Sequence, residues 1–271
     1  MEASNNDLPK TRFALLKDRL KRRFFDFILL SLLTTVFLIP LVVWMIVVNY
    51  VLISQVNNDN YLFMTLLIYL PYIPFGMVFG LGVSGALYYC KRLAWGEGSN
   101  AATDFFYGLR KNIKFSLIGF LIIFTAYALL KIGSMLLAFA SDNNILNMVT
   151  LGIMYVAFLL IFMITSFTLT QGIIYQGSFR QLFANGMRFT IGMFGWNLLI
   201  FSLVLLPFFA YEFIPFPIAQ YVSIAVSGLF YFAFSFFVFT IYSHSIFDLT
   251  INDDYPEIYR KGLVKENRQP E

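Results

Sequence analysis

Six apolar runs, each long enough to cross a bilayer, constrain this chain more than any other feature: 24–53, 61–89, 115–139, 146–175, 191–211 and 218–246. A hydrocarbon core about 30 Å thick needs roughly 20 apolar residues in a helix to span it. Backbone groups in lipid must be bonded within the chain, and for separate runs of this length the helix satisfies that demand. The residues outside the runs are divided into segments of at most 25, so a sizeable soluble domain within the chain is excluded. At 59% hydrophobic and 13% charged residues, the composition agrees. The expected fold is an all-α integral membrane protein with six transmembrane helices. A basic amphipathic segment at 1–23 precedes a transmembrane domain at 24–246, and a polar tail follows at 247–271.

Charge placement predicts orientation. Of the 19 Lys and Arg residues, all but Lys131 fall before run 1, between runs 2 and 3, between runs 4 and 5, or after run 6. The three opposite links carry none. The positive-inside rule then puts both termini in the cytoplasm. Basic residues grouped at membrane edges account for the net charge of +4 without nucleic acid. The opening segment resembles a signal-peptide n-region, but run 1 is too long for an h-region, so a retained first span is expected. Phe13, Leu16, Leu20 and Phe24 recur at helical spacing, which predicts a helix lying along the headgroups.

The stretch Phe75–Ile118 leaves the membrane and re-enters it. Gly76, Gly80 and Ser84 fall every fourth position, as in helices that pack closely in lipid, where small residues replace the missing hydrophobic drive. Lining a substrate path is the alternative role for them. Pro40 is expected to kink span 1, and Pro71 and Pro74 lie in span 2. Gly96–Asn100 reads as a turn, with Asn100 or Thr103 capping the next helix. Phe105, Phe106, Leu109 and Ile113 are expected on one face of that helix, with Arg110, Lys111 and Lys114 on the other. A second basic connector carries Arg180 and Arg188. Phe105, Gly108, Leu109, Arg110 and Ile113 match Phe183, Gly186, Met187, Arg188 and Ile191 at an offset of 78, as a parallel internal repeat would. The connectors either dock a partner, through Arg110, Lys111, Lys114, Arg180 and Arg188, or lie on the membrane.

Residues for chemistry are sparse. His244 is the single histidine and reads as an interfacial side chain; Cys90 is the single cysteine and reads as a small membrane-edge residue or acylation site. Metal sites need several converging His, Cys or carboxylate ligands, and none is expected here; nor is a cofactor or catalytic residue. Asp26 sits one turn inside span 1, within reach of Arg22 and Arg23. Lys131 and Glu212 fall near the outer face: a pair tying spans 3 and 5, a polar cavity lining, or interfacial anchors. The polar residues Thr165, Ser166, Thr168, Thr170 and Gln171 in span 4 are expected to bond their own backbone or a neighbouring helix.

Gly82–Leu87 (GVSGAL), Lys91-Arg92, Trp95-Gly96-Glu97, Asp104-Phe105-Phe106 and Arg110–Phe115 (RKNIKF) resemble the YesL-like family of small bacterial polytopic proteins, as does the tail Phe247–Leu263 with FDLTIN and PEIYRKGL. Members of that family often lie beside carbohydrate ABC importers. The resemblance implies a bacterial cytoplasmic membrane and an accessory or structural subunit of oligosaccharide uptake, with ABC permease and ATPase subunits as partners. A self-contained transporter or channel is the alternative. The lipid bilayer is a partner in either case, and an oligomer is compatible with both.

Overall fold

A computed structural model describes residues 8–57, 59–97, 100–140, 144–175, 177–207, 209 and 216–264. The described secondary structure is helical throughout: α1 (Arg12–Arg22), α2 (Phe24–Val47), α3 (Tyr61–Tyr69), α4 (Tyr72–Ala94), α5 (Ala101–Lys111), α6 (Ile113–Ala140), α7 (Asn144–Ile174), α8 (Phe179–Gly192), α9 (Phe194–Val204), α10 (Pro217–Val226) and α11 (Phe232–Thr250). π turns at Val48–Leu52 and Ser227–Tyr231 extend α2 and join α10 to α11.

Five stretches are long and apolar enough to cross a membrane: Phe24–Gln55, Tyr61–Ala94, Ile113–Ala138, Ile145–Ile174 and Gln220–Thr250. A sixth appears when α8 and α9 are taken together across their break at Met193. The expected fifth span, 191–211, is therefore divided: its start belongs to α8, and α9 alone is about 16 Å long at ~1.5 Å per residue. These helices fit a multi-pass membrane protein. Leu29, Leu32, Val36, Ile39 and Val43 form an exposed apolar stripe on α2, a surface suited to lipid.

The prolines of the second span act differently from one another. α3 stops at Tyr69 and α4 restarts at Tyr72, so Pro71 sits in the interruption. Pro74 falls in the first turn of α4, where a missing N–H leaves no helix bond unmade. α2 runs through Pro40 without a break.

The contacts divide the chain into two compact units. One comprises residues 35–84 and 112–194. Its seam joins the first half of α4 to α6. A side chain at Gly76 would meet the Phe124 ring at 2.1 Å, and one at Gly80 the Phe120 ring at 2.2 Å. The Ser116 hydroxyl donates to the Gly80 carbonyl at 2.6 Å, and Ser84 bonds back to Leu81 at 2.9 Å. On α7, Thr168 and Thr170 bond their own backbone, while Gln171 donates both to Phe167 O in its own helix and to Leu182 O in α8.

The other unit comprises residues 1–34, 85–111 and 195–271. Phe27 packs edge-on to Phe237, with ring centroids 5.2 Å apart, and Phe201 to Phe239 at 5.0 Å. Asp26 accepts from Arg23 at 3.4 Å and from the Tyr89 hydroxyl at 2.6 Å, whereas Arg22 turns to Asp18. In α1 the side packed on protein is that of Arg12 and Leu15, which are buried, while Phe13 and Phe24, of the face expected along the headgroups, are 75% and 48% exposed. The reason is the ion pair that Arg12 makes, described next.

Candidate functional site

Within the second of these units, the last turns of α4, the end of α11 and the tail gather charged and aromatic side chains. Helical spacing runs from Tyr88 and Lys91 in α4 to Trp95 just past its end, whose N–H donates to the Lys91 carbonyl at 3.0 Å, so the three stand on one face. The Lys91 ammonium, 7% exposed as a residue, lies 4.7 Å from the Tyr88 ring centroid and 4.5 Å from that of Trp95. Lys261 brings a second ammonium to 4.2 Å from the Trp95 ring and pairs with Glu97 at 2.6 Å. Cations near an indole face gain from the ring's quadrupole.

His244 lies edge-on to Trp95 at 6.0 Å and is fully buried within the protein. Neither ring nitrogen has a hydrogen-bond partner among the described residues, nor has the buried Trp95 Nε1 or the Ser243 hydroxyl. Arg92 donates to Asp104 at 2.5 Å and to the Glu97 carbonyl at 3.0 Å, holding the connector against α4.

Asp248 is the junction of three segments. Its Oδ2 accepts from Arg12 Nε at 3.2 Å and Nη2 at 2.6 Å; its Oδ1 accepts from Asn252 at 2.7 Å and from the Arg260 N–H at 3.1 Å. Arg12 also donates to the Lys261 carbonyl at 2.9 Å, and Val264 N–H to the Pro9 carbonyl at 3.2 Å. Gly262 closes the tail against α4 with φ +86°, and a Cβ there would stand 2.1 Å from the Ala94 carbonyl oxygen. Neither the torsion nor a backbone oxygen yields readily to a methyl group. In Gly262→Ala, amides 255–263 should exchange with solvent at least about tenfold faster by mass spectrometry, the scale of ~1.4 kcal/mol. Unchanged protection would mean that the tail is held elsewhere.

The end of α4 and the tail thus meet, Glu97 pairing with Lys261. Sequence reading passed over Arg12, Trp95, Asp248 and Lys261 as site residues. Trp95 lies beside the first connector and Asp248 and Lys261 lie in the tail, whereas Arg12 lies in α1, so no local pattern in the sequence marks the four as one cluster. Among the described residues no three His, Cys, Asp or Glu side chains converge as metal ligands would. What the site offers chemically is binding through cations and N–H donors.

The two connectors are helices, α5 and α8. Asn100 caps α5, its side chain accepting from Thr103 N–H at 3.1 Å, and Ser178 caps α8. Phe105 is buried in α5 but Phe106 and Tyr107 are exposed, and Ile113 belongs to α6, so the expected four-residue apolar face does not form. Arg110, Lys111, Lys114, Arg180 and Arg188 are all exposed. Gly108 faces the Tyr88 side chain at 2.3 Å from a built Cβ, and Gly186 faces the Ile164 carbonyl at 2.6 Å and Thr168 at 2.8 Å. Each connector thus presses on the long helix before it through a glycine. Lys131 is half-buried on α6, its carbonyl accepting from Ser134, while Glu212 lies outside the described residues. Cys90 is fully buried.

Fold and site define the class as a multi-pass helical membrane protein with a bound-down tail. Compared with known protein families, with curated proteins and with solved structures, the chain matches none.

Proposed function

We propose that this chain is a six-span accessory subunit of a carbohydrate ABC importer in a bacterial cytoplasmic membrane, with both termini and both connectors on the cytoplasmic side. The observation that carries the reading is the exposed face of α5, where Phe106 and Tyr107 are 45% and 53% exposed beside Arg110 and Lys111. An aromatic and basic helix face pinned to its span is suited to a helix-in-groove contact with an ATPase or permease. Gly108 and Gly186 serve α5 and α8 in the same way, 78 residues apart, which supports a parallel repeat with two such connectors.

Tagged protein purified in mild detergent from its native host should carry permease and ATPase subunits, identified by mass spectrometry. Arg110→Glu/Lys111→Glu should lose them while keeping the yield of the chain itself. Purification of wild type without any ABC component contradicts the reading.

A second reading, an autonomous transporter, draws on α7, where the Thr165 hydroxyl and Gln171 Oε1 are buried without a partner among the described residues. The break between α8 and α9 is the kind found where transporters bind cargo near the membrane midplane. Flux of oligosaccharide into liposomes above that of empty liposomes would favour it.

A further inference from the structure

We propose that the end of α4, the end of α11 and the tail form a binding site for a phosphate group. Two observations converge on one indole. Lys91 and Lys261 bring two ammonium groups to within 4.5 and 4.2 Å of the Trp95 ring, and like charges so placed are stabilised by an anion. Beside them, the Trp95 Nε1 donor and both nitrogens of the fully buried His244 lack hydrogen-bond partners among the described residues. A buried polar group left unmade costs about 1–3 kcal/mol, so several together mark a place where a polar group belongs.

The chemistry selects the ligand. Arg12 and Arg92 are matched by Asp248 and Asp104, whereas Glu97, its side chain 41% exposed, pairs with Lys261 at 2.6 Å, so an incoming anion shares that ammonium group with Glu97. A phosphate group accepts from several N–H donors at once and makes short, charge-assisted bonds to ammonium groups. The site also lies at the end of the apolar helix α4, where a phospholipid headgroup meets a membrane-spanning helix. The same chemistry suits a phospholipid headgroup or free phosphate, and the two are separable.

The full-length protein in detergent is titrated with phosphatidylglycerol or phosphatidylcholine under native mass spectrometry, and separately with inorganic phosphate while its unfolding temperature is followed. Lys91→Gln/Lys261→Gln is compared with Lys17→Gln/Lys21→Gln, which removes equal charge from the exposed face of α1. Retention of phosphatidylglycerol that falls about tenfold in the site variant and holds in the α1 variant supports the proposal, with a headgroup as the source. Stabilisation by millimolar inorganic phosphate, lost in the site variant and without lipid preference, supports it with free phosphate as the source. Equal losses in both variants, or no loss in either, overturn it. Trp95→Phe guards against misfolding of the site variant, because it keeps an aromatic face for both ammonium groups and deletes the N–H. Its affinity should fall about threefold, and unchanged affinity likewise overturns the proposal.

Discussion

Gly80→Leu is expected to destabilise the protein by about 3 kcal/mol, the upper end of what overpacking usually costs. The first added carbon would stand 2.2 Å from the Phe120 ring, and Phe120 is itself 7% exposed with Phe124 stacked behind it at 6.2 Å. The ring has little room to retreat. Separation of α4 from α6 would also break the bond from Ser116 to the Gly80 carbonyl. In detergent, the unfolding temperature should drop by roughly 6–12 °C, given 2–4 °C per kcal/mol for a chain near this size. Gly152→Leu is the control: nothing stands within 4 Å of a Cβ there, so it should move the midpoint by about 1 °C or less, apart from the gain in helix propensity. Equal midpoints for Gly80→Leu and wild type would show that the seam does not hold these helices together.

Asp248→Ala should be as severe, but locally. The side chains of Arg12 and Asp248 are 9% and 12% exposed, and removing one partner of a buried pair strands the other's charge at a cost of roughly 3–5 kcal/mol. Asp248 also fixes Asn252 and the Arg260 amide, so α1 and the tail would come free while the long helices keep their own contacts. Trypsin should then cleave at Arg260 and Lys261 roughly a hundredfold faster, the scale of ~2.8 kcal/mol. The pair Asp18–Arg22 gives the contrast, since Arg22 is 67% exposed there. Asp18→Ala should alter cleavage of the tail by less than about twofold, because exposed pairs contribute ~0.5 kcal/mol.

Five of the six spans were legible in the sequence because apolar length alone identifies them, whereas the fifth, 191–211, runs across the break at Met193 between α8 and α9. Which side of each span packs was not legible. On α2, Phe27, Leu30, Leu38, Leu41 and Met45 are buried, while Leu29, Leu32, Val36, Ile39 and Val43 are exposed, and both sets are equally apolar. Lipid removes the polar face that marks the outside of a soluble helix, so periodicity says little. Glycine spacing survives this loss: Gly76 and Gly80 announced a close approach, though nothing local named Phe124 and Phe120 as what approaches.

The cluster at the tail was less legible still. Arg12 and Asp248 are 236 residues apart, and no local pattern signals a pairing over that distance. That pairing also turns α1, burying Arg12 and Leu15 and leaving Phe13 outside. His244 between two serines reads as polar, yet Trp95, just past the end of α4, packs edge-on against it. The exposed basic residues of α5 and α8 were legible as charges, whereas the split of Phe105 inward and Phe106 outward depends on where Gly108 lets the helix settle.

The most direct test of the proposed role places a photoreactive phenylalanine analogue at Tyr107, 53% exposed on α5, in cells growing on oligosaccharide. Illumination should yield an adduct with the ATPase or permease of a carbohydrate importer, lost when the same analogue replaces the buried Phe105. Adducts with lipid alone would contradict the account and make α5 a helix that rests on the membrane.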